Sequence, residues 1–268
     1  KGGLGYNVLE NLAPSGIKVF AVNPQGKQVG ECAAYKTLGD LPEVPECAVF
    51  ATRADTTVGL LKEAGEKGIK GVVVYASGFG EVVSGKPLQL ELKNIAEHYG
   101  MEVCGPNCLG LINFENGISL LSSESAAKTF EQNNRLSDHR SVSIISQSGG
   151  LFLSVYRLAM IRGLKIDRAV SSGNEDVTDL SDYLEVFLDD GKSDAIIIIA
   201  ESVRKPEKFM AALERAKAIG KPIVWLSLGR TASGAEAAVR HTGAVVKPAH
   251  IMDAVFARFG IVSVESIA

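Results

Sequence analysis

Ser146-Gln147-Ser148-Gly149-Gly150 follows the apolar run Ser141-Val142-Ser143-Ile144-Ile145 and precedes a helix-period stretch from Leu151 to Tyr156. A buried strand that ends in small hydroxyl and glycine residues and turns into a helix presents backbone N–H groups at the positive end of the helix dipole. Such a turn seats an anion, most often phosphate. The same residues also serve a plain strand-to-helix turn on steric grounds. A second candidate seat, Arg240-His241-Thr242-Gly243-Ala244, lies in the same half of the chain. Neutral imidazole is a good nucleophile near pH 7, and a carboxylate partner orients it and stabilises the positive charge it gains. A lone loop histidine is more commonly solvated and idle. The carboxylate to consider is Glu201, directly after the isoleucine-rich run Ala195–Ala200. Such a run reads as a strand buried on both faces, which places Glu201 at the ligand side of the sheet, unless it caps a neighbouring helix. His98 and His139 have no comparable setting, and His250 reads as a helix-start residue.

The elements that would position these groups alternate. Lys18-Val19-Phe20-Ala21-Val22, Ala48-Val49-Phe50-Ala51 and Val72-Val73-Val74-Tyr75 are short and β-branched, and helix-period segments over 57–67 and 88–99 follow them. Strand–helix alternation at this spacing predicts right-handed βαβ units in a doubly wound parallel sheet, with ligands beyond the carboxyl ends of the strands. A glycine turn around Gly5 opens the first helix, 7–12, in the Rossmann manner. The chain starts at Lys1 within that turn, so a preceding strand is expected upstream. A nicotinamide site would offer Asp or Glu after the second strand, where this chain has Asn23-Pro24. The stretch 114–139 is rich in Ser, Asn, Glu and Gln and reads as an irregular passage between domains. The second half is predicted to carry strands around 168–170, 195–200, 222–228 and 261–264. Its helices are expected over 150–163, 180–188 (with Thr178 as N-cap), 207–219 and 250–259. The expectation is therefore an α/β chain of two doubly wound domains. These are a Rossmann-like domain over 1–113 and a flavodoxin-like domain over 140–268, joined by a linker over 114–139.

An apolar fraction of 46%, a charged fraction of 22% and a net charge of -3 are those of an ordinary soluble protein. They give no reason to expect nucleic acid or a membrane as partner. The longest apolar run is far too short to span a bilayer. No signal peptide is read, and four sparse cysteines (Cys32, Cys47, Cys104, Cys108) fit reduced thiols in the cytoplasm, with no metal site.

Five segments in order carry a resemblance: Gly105-Pro106-Asn107-Cys108-Leu109-Gly110, Ser146-Gln147-Ser148-Gly149-Gly150, Ser172-Gly173-Asn174-Glu175, Glu201 and His241-Thr242-Gly243-Ala244. Together they resemble the NDP-forming acyl-CoA synthetases, which include the ADP-forming acetate–CoA ligases and the α subunit of succinyl-CoA synthetase. The resemblance covers nearly the whole chain. It implies a coenzyme A-binding domain followed by a CoA-ligase domain, with His241 as the histidine that becomes phosphorylated and Glu201 as the glutamate that steadies it. Ser148, Gly149 and Gly150 would cradle phosphate at one helix start, and Thr242 and Gly243 at the other. Gly5, Asn23, Pro24, Thr52, Ser77, Gly78 and Asn107 fall where the family holds CoA, and Lys27 would reach its phosphates. The resemblance further implies an ATP-grasp domain or β subunit for Mg-ADP or Mg-ATP, a small carboxylic acid or acyl-CoA as substrate, and an oligomer. The chain is then a subunit or a fragment. Arg240, and Val245-Val246-Lys247-Pro248 after the histidine, depart from the family pattern. Two other readings stay open at this stage: an acyl-CoA-sensing domain of a protein acetyltransferase, and an NAD-linked oxidoreductase.

Overall fold

The computed structural model describes residues 3–123, 126–136, 140–190, 192–228 and 249–267. Helix α1 (Leu4–Leu12) is followed by strands β1 (Ala21–Val22) and β2 (Ala34–Tyr35), which pair in parallel. Strands β3 (Cys47–Phe50), β4 (Gly71–Val74) and β5 (Glu102–Cys104) form a parallel three-stranded sheet, linked by α2 (Ala54–Lys67) and α3 (Lys86–Tyr99). Both linking helices present aliphatic residues to that sheet: Leu61 and Ala64 of α2, and Leu92 and Ala96 of α3, are fully buried against Val72, Val74 and Val103. This is the parallel α/β arrangement expected from the alternation.

Chain continuity then departs from the expected passage. Strands β6 (Gly110–Asn113) and β7 (Ile118–Ser119) form a short antiparallel pair at the edge of the second sheet. Helix α4 (Ala126–Arg135) follows, so the described residues of 114–139 hold regular structure where their polar composition suggested an irregular passage. Its Asn133 is fully buried and bonds both backbone groups of Ile166 (Nδ2 to O 2.9 Å, N to Oδ1 2.8 Å). A polar side chain that satisfies a neighbouring strand's backbone explains why polarity here does not mean solvent.

The remaining elements are β8 (Ser141–Ser146), α5 (Gly149–Ile161), β9 (Lys165–Ser171), α6 (Leu180–Asp190), β10 (Ala195–Ala200) and α7 (Pro206–Ala218). They are followed by β11 (Ile223–Ser227), α8 (Ala249–Phe259) and β12 (Val262–Val264). The seven-stranded sheet runs β12-β11-β10-β8-β9-β6-β7, parallel except where β6 and β7 join. Ile196, Ile198 and Ile199 of β10 are fully buried. At roughly 2 kcal/mol per buried aliphatic side chain, they anchor the centre of the sheet. Ile197 is half-buried beside an apolar cavity of about 220 Å³ shared with Leu158, Leu226 and Val264.

One apolar cluster runs across both sheets, joining Val8, Leu12, Val73 and Tyr75 to Ile145, Val170 and Leu180. Asn11 Nδ2 of α1 donates to Leu121 O at 2.9 Å, and Tyr75 hydroxyl to Leu120 O at 2.6 Å. The N-cap of α6 is Asp179, not the expected Thr178: Asp179 Oδ1 accepts from Ser181 N at 2.9 Å and Asp182 N at 3.2 Å. Thr178 instead ties the two sheets together. Its hydroxyl accepts from Val103 N at 3.0 Å and donates to Glu102 Oε2 at 2.7 Å. Among the described residues no helix is long and apolar enough to cross a membrane.

Candidate phosphate seat and domain junction

Strands β8 and β10 are neighbours with Ser146 opposite Ile199, so the segments that leave their carboxyl ends run side by side. One is Gln147-Ser148-Gly149-Gly150 and the other Glu201-Ser202. Ser148 caps α5, with its Oγ accepting from Leu151 N at 3.4 Å, and Ser146 Oγ donates to Ser148 O at 2.9 Å. Among the described residues, a side chain at Gly150 would meet nothing within 4 Å, whereas Gly149 packs against Leu109. The α5 N-terminus therefore has the dipole and the cap that an anion such as phosphate needs. Replacing Ser148 by alanine is expected to lower stability by about 1 kcal/mol, read from urea unfolding, through the lost cap. His241, Thr242 and Gly243 lie outside the described residues.

Gln147 links the two strand ends. Its Oε1 accepts from Glu201 N at 2.8 Å and Ser202 N at 3.3 Å, while its Nε2 donates to Ser202 O at 2.8 Å and Glu175 Oε2 at 2.7 Å. Glu175 comes from the loop between β9 and α6, is 4% exposed, and has a left-handed backbone (φ 58°). Its Oε1 accepts from Ser172 Oγ at 2.7 Å. Burial pushes the Glu175 carboxyl up to about 7, against the donors Ser172 and Gln147 and the charge of Arg204, and with the charge of Asp179. The sequence motif containing Glu175 was singled out, but the residue was assigned no role. Its Ser-x-x-Glu spacing was the available signal, since that pattern marks a hydroxyl–carboxylate pair at helix starts. Here α6 starts five residues later and the hydroxyl bonds the carboxylate itself.

The flanking residues of the same loop face the first sheet. Asn174 donates to Glu81 Oε2 at 2.6 Å and accepts from Asn107 Nδ2 at 3.2 Å, its N–H donates to Pro106 O at 2.9 Å, and Gln89 donates to Asp176. Burial pushes the Asp176 carboxyl up to about 6, with the Gln89 donor opposing. Burial would also raise Glu81, but donors from Gly78 N, Asn174 and Phe79 N outweigh it and hold that carboxyl below its ordinary value.

The sequence-derived CoA candidates follow the strand ends of the first domain: Asn23 after β1, Thr52 after β3, Ser77 and Gly78 after β4, and Asn107 after β5. Gly5, in the first turn of α1, sits beside Ala51, with 3.4 Å between a built Cβ and that side chain. Thr52, Ser77, Pro24 and Lys27 are exposed there. The Asn23 side chain closes its own turn, accepting from Gln25 N at 3.0 Å and donating to Lys27 O at 3.3 Å. Asn107 is drawn into the domain junction by Asn174. A rim of exposed threonine, serine and lysine residues beyond parallel strands is chemically suited to an extended anionic ligand.

Known proteins share this arrangement. Residues 1–113 match the CoA binding domain family, and residues 139–268 match the succinyl-CoA ligase like flavodoxin domain family. A trans-feruloyl-CoA synthase from an unknown prokaryotic organism is 35% identical over 270 residues, covering 100% of this chain and 38% of that protein. The α subunit of ADP-forming acetate–CoA ligase II from Pyrococcus furiosus is 32% identical over 268 residues, covering 98% of this chain and 56% of the subunit. Among solved structures, acetyl-coenzyme A synthetase 1 of Ca. Korarchaeum cryptofilum in complex with phosphate and ADP superposes with a TM-score of 0.88 at 30% identity. It covers 99% of this chain and 55% of that one. The chain thus spans between about a third and three fifths of these relatives' length. With a CoA-binding fold, a flavodoxin-like ligase fold and relatives of one kind along its whole length, the chain belongs to the NDP-forming acyl-CoA synthetase superfamily.

Proposed function

We propose that this chain is the CoA-binding and phosphohistidine-carrying part of an NDP-forming acyl-CoA synthetase, an acid–thiol ligase. The reaction is acyl-CoA + phosphate + ADP = carboxylate + CoA + ATP. Phosphate attacks the thioester carbonyl and CoA leaves as thiolate, giving an acyl phosphate. His241 then takes the phosphoryl group, and the carboxylate leaves. The side-by-side emergence of the α5 N-terminus and the Glu201 backbone supports this reading, in which a helix start suited to an anion is paired with a carboxylate that orients the imidazolium. In this scheme Ser148, Gly149 and Gly150 hold the phosphoryl group on one side, and Thr242 and Gly243 on the other. The start of α5 offsets the charge that develops. CoA lies across Gly5, Asn23, Pro24, Lys27, Thr52, Ser77, Gly78 and Asn107.

The phosphohistidine passes its phosphoryl group to Mg-ADP on an ATP-grasp domain or β subunit, within a cytoplasmic oligomer. The test is incubation with radiolabelled acetyl, butyryl and benzoyl phosphate. Acid-labile label mapping to His241, and lost in His241→Ala, is expected with at least one donor. A chain that takes no label from any of them, or keeps it after the substitution, does not carry the phosphoryl group.

A further inference from the structure

The buried carboxylate of Glu175 lies at the junction, and the proposed chemistry leaves it without a task. Its neighbours in the loop, Asn174 and Asp176, bond the first domain, while Glu175 itself bonds Gln147 and Ser172. A side-chain amide has a donor end and an acceptor end, and heavy-atom packing alone hardly distinguishes them. A carboxylate at 2.7 Å accepts only from the NH₂ end. With Gln147 so oriented, its oxygen faces the backbone N–H groups of Glu201 and Ser202. Turned over, the amide would set its NH₂ against both N–H groups and its oxygen against the Glu175 and Ser202 oxygens. Four hydrogen bonds would be exchanged for four like-against-like contacts.

We propose that Glu175 is a positioning residue for phosphoryl transfer: by fixing the orientation of the Gln147 amide, it holds the backbone from which Glu201 emerges against the start of α5. This rests on the carrier reading above.

The same geometry makes the position tolerant of a proton. Ser172 Oγ lies 2.7 Å from Glu175 Oε1 and 3.2 Å from Ser146 O. When Glu175 is ionised the hydroxyl donates to it. When Glu175 is protonated its O–H donates to Ser172 Oγ, the hydroxyl turns to Ser146 O, and Oε2 still accepts from Gln147. No heavy atom has to move, but a negative charge behind the anion seat appears or disappears. The groups facing this carboxyl are Asp179, whose charge favours the protonated form, Arg204, whose charge favours the ionised form, and the Cys104 thiol and Tyr183 phenol. Because burial places the change near pH 7, acyl phosphate meets a more repulsive seat above neutrality.

The test compares Glu175→Gln and Glu175→Leu with the full chain, following the rate of His241 labelling by acyl phosphate from pH 6 to pH 8.5. Glu175→Gln keeps an acceptor for Gln147 and a donor for Ser172, so its rate at pH 6 is expected to match wild type. It should lose the alkaline fall attributable to Glu175 and retain only the inflection of the imidazole. Glu175→Leu leaves the Gln147 NH₂ without that acceptor, and labelling about ten- to a hundredfold slower is expected. Wild-type rates in the leucine variant would overturn the proposal, and so would a glutamine variant as impaired as the leucine one. An unchanged pH profile in the glutamine variant also counts against it, and decides the matter if the leucine variant does not fold. A wild-type chain that never labels removes the carrier reading, and this inference falls with it.

Discussion

Gly173→Ala is expected to be among the most damaging single substitutions in the molecule, lowering the free energy of unfolding by about 2–5 kcal/mol. Gly173 has φ +66°, and a Cβ there would lie 2.7 Å from Asn107 O and closer still to Pro106 O. Both obstacles are backbone atoms, so neither can swing aside as a side chain would. Left-handed backbone strain adds to the overlap. Relief requires the 172–176 loop to withdraw from the 105–107 turn, which also loosens Asn174 from Glu81 and Gln89 from Asp176. Urea unfolding provides the measurement, with Gly150→Ala as the comparison. Among the described residues a Cβ at Gly150 meets nothing within 4 Å, and alanine there favours the helix. The two substitutions should therefore shift stability in opposite directions. Equal midpoints for both variants would mean that the loop does not press on the turn.

The second large effect is on stability as a function of pH. The Glu175 carboxyl titrates near its ordinary 4.5 in the unfolded chain and at about 7 in the folded one. Below pH 4.5 both states hold the proton, and Glu175 contributes no pH dependence. Between 4.5 and 7 the unfolded state releases its proton while the folded state keeps it, so stability falls as pH rises. Above 7 the loss is complete, at about 3 kcal/mol. Asp176, raised from 3.8 to about 6, acts in the same direction over a lower window. Glu175→Gln cannot ionise, so its stability relative to wild type should rise by about 3 kcal/mol between pH 4.5 and pH 8. Chemical denaturation at those two pH values measures the difference. A constant offset between variant and wild type would show that Glu175 titrates in the folded chain as it does in the unfolded one.

Much of this architecture could be read from residue order. The isoleucine run of β10 and the β-branched runs of β3, β4 and β8 announce parallel strands, because both faces of such strands are covered. The Ser-Gly-Gly turn announces the start of α5, because hydroxyl cap and helix period coincide there. What could not be read depends on distant partners. Strand β6 is four residues long, and only its pairing with β9 assigns it to the second sheet. Thr178 and Asp179 are both good caps by type. The choice falls to Asp179 because the Thr178 hydroxyl is already engaged by Val103 and Glu102, some 75 residues earlier. Likewise, nothing local marks Glu175 as buried. Its position follows from a left-handed backbone between Asn174 and Asp176, whose side chains face the opposite way. At the site itself, sequence alone singled out Ser148, Gly149, Gly150 and Glu201, and the fold sets these at adjacent strand ends. Gln147 and Glu175 lie in the same motifs, but their bond to each other and to the Glu201 backbone depends on three separate strand ends meeting in space.

The strand pair β6–β7 restricts how such proteins can be recombined. A hybrid that exchanged the first 113 residues with those of a relative would carry along a strand that belongs to the recipient's own sheet, and would leave behind the Leu120 and Leu121 carbonyls that receive Tyr75 and Asn11. The seam that respects both sheets lies earlier, between Cys104 and Gly110, where the chain crosses from one to the other. Evolutionary shuffling of whole lobes would have to cut within that five-residue crossing, or else transfer both lobes as a single inherited piece.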